Sequence, residues 1–254
     1  TKTKANIVIS ATSIDLFQLC EARFNYRVNL NKVLPILQKS RSLDLGGLAH
    51  EGLEVYFNLL KDNVHYNDRM QSTLMKIRER ASDPENSSSE PADVDVLCKA
   101  IEESCDYWRP EHEQLEVLGV EIPFDYVLYE DEFVRIIISG KIDLLTNYSP
   151  IGSRSSSYTN LPFDHKTFSR DFPTYRLSNQ FMNYAAATGS NYLIVNKIGL
   201  QKTLKPEEKF KRLPLSYDPL LIQQWKDNIR KMILGRYLAC ISENEWTMNF
   251  TSCL

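Results

Sequence analysis

Two short segments bring together residue types that bind hard cations and stabilise anionic reaction centres. Gly140-Lys141-Ile142-Asp143 and Phe163-Asp164-His165-Lys166 each end a run rich in Val, Ile, Leu and Phe. Residues two apart in a strand share a face, so Asp164 and Lys166 point the same way. Ile142 and Leu144 flank Asp143 and are expected on the opposite, core-facing side. If the two strands pair through the serine-rich stretch between them, Asp143 and Asp164 converge. Two carboxylates beside a lysine then form a site for a divalent cation with an electrostatic or acidic partner. Either segment alone reads better as a strand-end acid in a surface ion pair, because Asp-x-Lys is common by chance. Their order and shared strand context favour a site.

Two further patterns accompany this pair. His50, in Gly47-Leu48-Ala49-His50-Glu51, shares a helix face with Glu54. It is a surface histidine with a helical partner or, as a neutral imidazole, a ligand suited to Mn²⁺ and tolerable near Mg²⁺. Gln180 and Tyr184 are also four apart on a helix face and offer an amide and a phenol to a phosphate or a base. Taken by themselves they read as an exposed Gln and a half-buried Tyr.

The elements that must position these residues are legible from periodicity. Helices are expected at 10–29, capped by Ser10, Thr12 or Ser13, and at 45–60, 69–80 and 93–114. Gly46 and Gly47 imply a close approach near the start of the second helix. Residues 82–92 read as a flexible connection. From residue 117 the pattern changes to strands at 117–129 and 133–147, with Glu130-Asp131-Glu132 as the turn. A polar loop at 148–160 leads to a strand at 161–167, a helix at 177–188 and a strand at 192–200. A charged excursion at 205–212 and a short apolar stretch to Tyr217 precede a final helix at 219–241, with Pro219 in its first turn. The order predicts an α/β or α+β core with an N-terminal helical layer, and the length suits one large domain or two small ones. A helical insert at about 61–115 is expected to form a lobe over one face.

Composition narrows the class without choosing a partner. The net charge of −3 gives no overall electrostatic case for nucleic acid, so any phosphate-binding surface has to be local. No apolar run approaches bilayer length, and no secretory signal is evident, so no membrane association and a cytoplasmic location are expected. Five widely spaced cysteines without a CxxC pair argue against a disulfide scaffold and for a reducing compartment. Cys98 and Cys105 are expected to be small buried apolar residues. The chain has no P-loop and so supplies no ATP motor of its own.

In this order the motifs resemble the PD-(D/E)XK nucleases, in the RecB-, AddB- and Cas4-like branch that carries a Gln-x-x-x-Tyr helix. Ser13 to Cys20 resembles the branch's opening helix. Gly47 to His50 resembles its histidine motif, Gly140 to Asp143 its G-x-(I/V)-D strand, Asp164 to Lys166 its D-x-K strand, and Gln180 with Tyr184 its last helix. The resemblance covers roughly residues 10–200; no single motif is specific, but the ordered set is.

That resemblance implies a restriction-endonuclease-like α/β core with a central mixed sheet flanked by helices. It implies catalytic roles for Asp143, Asp164 and Lys166. A divalent ion, Mg²⁺ or Mn²⁺, would be held by His50, Asp143, Asp164 and the backbone carbonyl of His165, and Gln180 and Tyr184 would hold the nucleic-acid strand. Glu121 occupies a strand position that often carries an acid in such proteins. The implied activity is DNA hydrolysis, with an exonuclease on single strands or ends ahead of an endonuclease. A catalytically silent binding module, or a subunit of a helicase–nuclease or CRISPR adaptation complex, is the alternative. Relatives in this branch carry a [4Fe–4S] cluster on one N-terminal and three C-terminal cysteines. Here Cys20, Cys240 and Cys253 are the only candidates, so no cluster is expected in the chain as given. Lys197, Lys202, Lys205, Lys209, Lys211 and Arg212 read as a phosphate-contacting rim or as a solvated loop. Arg23, Arg27, Lys32, Lys39 and Arg41 form a second basic stretch.

Overall fold

A computed structural model describes residues 4–32, 41–83, 89–149, 157–169, 177–249 and 251. Lys39 and Cys253 lie outside them. The β-rich middle of the chain forms a long hairpin of β2 (Leu115–Glu130) and β3 (Val134–Tyr148). Asp131 builds the turn, accepting from the amides of Phe133 and Val134 at 2.8 Å each. β3 is the organising strand. One edge pairs with β2 along its length. The other edge pairs in parallel with β1 (Ala5–Ser10) from Val134 to Ser139, and antiparallel with β4 (Tyr158–Phe168) from Leu144 onward. β5 (Tyr192–Gly199) lies parallel to β4, and β6 (Phe210–Ser216) closes the sheet antiparallel to β5. The result is a six-stranded mixed sheet.

β1 and β6 were not anticipated as strands. β1 has only a six-residue alternation, with Ile7 and Ile9 buried and Val8 61% exposed, too short to stand out beside the following helix. β6 begins in the charged stretch and runs on into the apolar one, because an edge strand tolerates Lys211 and Arg212 where a central one would not.

Helices cover both faces. α1 (Ala11–Leu19) is capped by Ser10, whose hydroxyl accepts from the Ser13 amide at 3.2 Å. The expected single helix at 10–29 breaks at Cys20, which is extended, and resumes as α2 (Glu21–Phe24) and a wide π turn at Asn25–Asn29. α7 (Asn179–Thr188) starts on Ser178 and ends on Gly189 in the left-handed conformation, φ 68°. α9 (Pro219–Met232) passes through a π turn into α10 (Leu238–Glu243), with α8 (Pro206–Lys209) a single turn before β6. One apolar cluster joins α1, α7 and α9 to β1, β5 and the first half of β3, through Phe17, Ile136, Ile138, Phe181, Val195 and Trp225.

A second cluster packs α3 (Arg41–Lys61), α4 (Tyr66–Ala81) and α5 (Pro91–Tyr107) on the opposite face, with the one-turn α6 (Arg109–His112) following. Phe57, Ile77, Leu97 and Ile101 meet Leu144 and Phe163 there. This is the expected α/β architecture, a mixed sheet flanked by helices.

The close approach expected at Gly46 and Gly47 lies elsewhere on α3. A methyl group on Gly47 would meet nothing within 4 Å. One on Gly52 would lie 2.6 Å from the Ile77 side chain, so Gly52 is the position that lets α4 pack against α3.

Candidate active site

The sheet splits at the middle of β3. β1 leaves its edge after Ser139 and β4 joins it at Leu144, so residues 140–143 face a gap on that side. One side chain from outside the ladder and one of the stretch's own serve it. The Tyr184 hydroxyl donates to the Lys141 carbonyl at 2.8 Å, and the Asp143 carboxylate accepts the His165 amide at 2.8 Å. Asp143 thus takes an amide of β4 just beyond the point where the backbone pairing ends. Gly140 is needed here because a Cβ would lie 2.5 Å from the Phe124 ring of β2.

The side chains also change face at this point. Ile136, Ile138 and Ile142 belong to one apolar cluster, whereas Leu144 belongs to the other. Ile142 and Leu144 are both buried as expected, but they serve different cores. Opposite Asp143, between the pairs Val120↔Leu144 and Ile122↔Ile142, sits Glu121 with φ 50°. A left-handed non-glycine residue inside a strand is strained, and such strain concentrates at functional sites. The split and the face change together open the site to both helical layers.

From the α3 side comes His50. Its Nδ1 lies 3.4 Å from Asp143 Oδ2 and 3.7 Å from Glu121 Oε1. These are its partners, rather than the helical neighbour Glu54. One donor atom from each of His50, Glu121 and Asp143 lies within 4.8 Å of the others, close enough to share an ion. Two carboxylates and an imidazole suit a divalent cation of the Mg²⁺ or Mn²⁺ kind, so this donor set fits the metal that the fold class uses.

From the α7 side come Gln180 and Tyr184. Gln180 Nε2 donates to Asp164 Oδ1 and to the Tyr184 hydroxyl, both at 2.8 Å. Lys166 Nζ lies 3.0 Å from Asp164 Oδ1 and 2.9 Å from Oδ2, and 3.4 Å from Gln180 Oε1. Asp164, Lys166, Gln180, Tyr184 and the Lys141 carbonyl therefore form one connected network. Tyr184 is only 3% exposed, so its hydroxyl braces β3. Lys141 contacts Glu121 Oε2 as an ion pair.

Burial and charge act against each other throughout the site. Burial disfavours the charged imidazole of His50, but Glu121 and Asp143 outweigh it and raise its pKa. Burial likewise pushes Asp143 up against the pull of His50. Asp164 is pushed up to about 6, chiefly by burial and further by Asp143, with Lys166 opposing. Glu121 loses solvation too, yet His50 and Lys141 hold it below the usual carboxylate range. The His165 ring is stacked on Phe57 at 5.2 Å and lies 3.1 Å from the Asn196 amide nitrogen. Burial keeps it neutral, which leaves only its backbone for the site.

Sequence reasoning placed Glu121 only loosely and missed the part played by Lys141. The residue facing Asp143 across the hairpin was the available signal for Glu121; its left-handed backbone was not readable.

Much of the basic stretch after α7 is structural. Arg212 is buried against Trp108 and pairs with Glu111 at 2.5 Å, and Lys209 pairs with Glu103 at 2.5 Å. In the other stretch, Arg41 pairs with Asp93. Cys98, Cys105 and Cys240 are free and buried, and Cys240 Sγ lies 3.5 Å from Glu21 Oε2. Cys20 is disulfide-bonded.

No helix among the described residues is long and apolar enough to cross a membrane. A search of curated proteins gives no match. Among solved structures, a candidate exonuclease of Eubacterium rectale superposes with a TM-score of 0.53 at 11% identity, over 95% of this chain and 84% of that one. SSO0001 aligns at 12% identity and a TM-score of 0.41, over 93% of this chain and 80% of the other. LHK-Exo, solved in complex with dAMP, aligns at 10% identity and a TM-score of 0.34, over 78% and 96% respectively. The model of the PD-(D/E)XK nuclease superfamily matches residues 8–244, from the middle of β1 through α10, and the chain belongs to that superfamily.

Proposed function

We propose that this chain is a Mg²⁺- or Mn²⁺-dependent deoxyribonuclease, working as an exonuclease on single strands or DNA ends. The observation that carries the reading is the convergence of His50, Glu121 and Asp143 beside the Asp164–Lys166 pair. His50, Asp143, Asp164 and the His165 carbonyl are proposed as metal ligands, with Glu121 added by its position. In a strand a residue's N–H and C=O leave on the same edge, so the carbonyl of His165 accompanies the amide that reaches Asp143. A bound divalent ion supplies charge neutralisation at the phosphoryl oxygens and acidifies water.

The protein's own groups do the rest. Asp143 and Asp164 concentrate negative charge where a cation is required. Lys166, held by Asp164 and Gln180, presents its ammonium Nζ to a phosphoryl oxygen or to the attacking water. Gln180 and Tyr184 orient that pair from α7 and stand beside the path of a strand. Membership of the RecB-, AddB- and Cas4-like branch is supported by the Gln180–Tyr184 network, and a single nuclease domain over 1–254 by the two cores sharing one sheet. A cytoplasmic setting and a helicase or adaptation-complex partner complete the proposal, since the chain has no ATP-binding loop of its own.

The test is cleavage of end-labelled single- and double-stranded DNA with Mg²⁺, Mn²⁺ or EDTA, for the wild type beside Asp164→Ala and Lys166→Ala. Ion-dependent cutting lost in both variants is expected, with a ladder from one end. Binding without cutting under either ion would leave the silent binding module as the better reading.

A further inference from the structure

Two cavities that share Leu200 lie between the start of α3, the end of β4 and the basic stretch after β5. Ser42, Gly46 and His50 are spaced four apart on α3 and form one stripe of that helix. His50 stands at the metal site, and at Gly46 the stripe packs against β4, where a methyl would meet Thr167 Oγ1 at 3.9 Å. At the Ser42 end lies a cavity of about 470 Å³ between the first turn of α3 and the end of β4, walled by Arg41, Leu45, Thr167, Phe168 and Leu200. Leu200, whose amide donates to the Phe168 carbonyl at 2.9 Å, also walls a second cavity of about 460 Å³ between α5 and the β5–β6 connection. The floor of the second cavity is apolar and aromatic, with Leu204, Tyr107 and Phe210. Its rim carries Lys99 and Lys202 beside Glu103 and Asp106, with Lys209 buried against Glu103.

We propose that these two cavities form one track for a single strand of nucleic acid, leading away from the scissile phosphate. The inference deepens the nuclease reading and rests on it. Three observations favour this occupant. The first cavity adjoins the site's own elements, at Thr167 next to Lys166 on β4 and at Ser42 about two turns before His50 on α3. The track's walls present the exposed ammonium groups of Lys99 and Lys202, whereas Arg41 and Lys209 are engaged by Asp93 and Glu103. An apolar floor bearing exposed Tyr107 beneath a cationic rim is the combination that takes stacked bases and phosphates together. Lys99 is 69% exposed and Lys202 is exposed, so both can turn to a phosphate without loss of core packing.

The test measures binding of a fluorescein-labelled dodecathymidylate by anisotropy in EDTA, across a salt series. The proteins are the wild type, Lys99→Glu/Lys202→Glu and Lys61→Glu/Lys231→Glu. The last has the same net charge but alters exposed lysines at the far end of α3 and on α9. Loss of two phosphate contacts lowers the slope of log affinity against log salt by about 1.4, at ~0.7 per contact on a single strand. The expected result is that reduction, with at least fivefold weaker binding, in Lys99→Glu/Lys202→Glu alone. Equal effects in both double variants, an unchanged slope, or no binding by the wild type would overturn the track. Cleavage with an unchanged slope sinks the track and leaves the nuclease reading standing. Track-dependent binding without cleavage under any ion does the reverse.

Discussion

Replacing Gly47 by Ala is expected to stabilise the protein, whereas the same change five residues later on the same helix is expected to destabilise it. Gly in a helix interior costs about 1 kcal/mol relative to Ala, because the unfolded chain loses more freedom on folding. At Gly47 the new methyl meets nothing within 4 Å, so the whole gain is realised. At Gly52 the methyl would lie 2.6 Å from both Cγ1 and Cδ1 of Ile77, which is 0% exposed and cannot move outward. Overpacking of that kind costs about 1–3 kcal/mol. Offset against the same helix gain, it leaves Gly52→Ala roughly 0–2 kcal/mol less stable than the wild type. The two variants should therefore differ by about 1–3 kcal/mol, with Gly47→Ala about 2–4 °C higher in Tm than the wild type. Urea titrations with unchanged m-values measure this directly. The open face at Gly47 adds a functional arm: if a strand passes over it, Gly47→Ala raises KM for DNA even as it raises stability. A Gly47→Ala protein less stable than the wild type, or a Gly52→Ala protein more stable than it, would refute the packing of α3 described here.

Mn²⁺ titration by calorimetry should show Asp143→Asn and Glu121→Gln binding the ion at least 100-fold more weakly, since they exceed the roughly 10–100-fold loss typical of outer-shell partners. Lys141→Met should bind it several-fold more tightly, because an exposed ion pair competing for Glu121 is removed, worth about 1 kcal/mol at most; weaker binding would show that Lys141 holds Glu121 in place. Tyr184→Phe keeps the ring but removes the donor to the Lys141 carbonyl, and should cost about 1–3 kcal/mol in urea denaturation. His112 is buried and held neutral, its pKa well below the ordinary 6.5, chiefly by loss of solvation. The unfolded chain takes up that proton below pH 6.5 and the native protein does not. Its contribution to stability is thus complete above pH 6.5 and lost as pH falls, at ~1.4 kcal/mol per unit. The difference between wild type and His112→Gln should be flat above pH 7 and fall with that slope below 6.5; a rise on acidification would contradict it.

Local patterning carried much of this molecule. The alternation at 117–129 and 133–147 and the turn at Asp131 determine the hairpin, because strand register follows from a period of two and a short polar turn. Asp164 and Lys166 share a face by the same rule, and Ser178, Pro219 and Gly189 bound helices through chemistry that acts within a few residues. The order of His50, Asp143, Asp164, Lys166, Gln180 and Tyr184 was enough to point to a nuclease family.

What only the tertiary structure decided depends on contacts between distant segments. β1 and β6 become strands because β3 and β5 offer them edges, and their own sequences are too short or too charged to announce it. The gap between β1 and β4 makes the site, and no local pattern encodes where two strands leave a third uncovered. Glu121 joins His50 and Asp143 through a left-handed backbone opposite Asp143, a conformation its residue type disfavours and the surrounding pairing imposes. Arg212 and Lys209 look like phosphate ligands in one dimension, but Glu111 and Glu103, about a hundred residues away, take them into the fold.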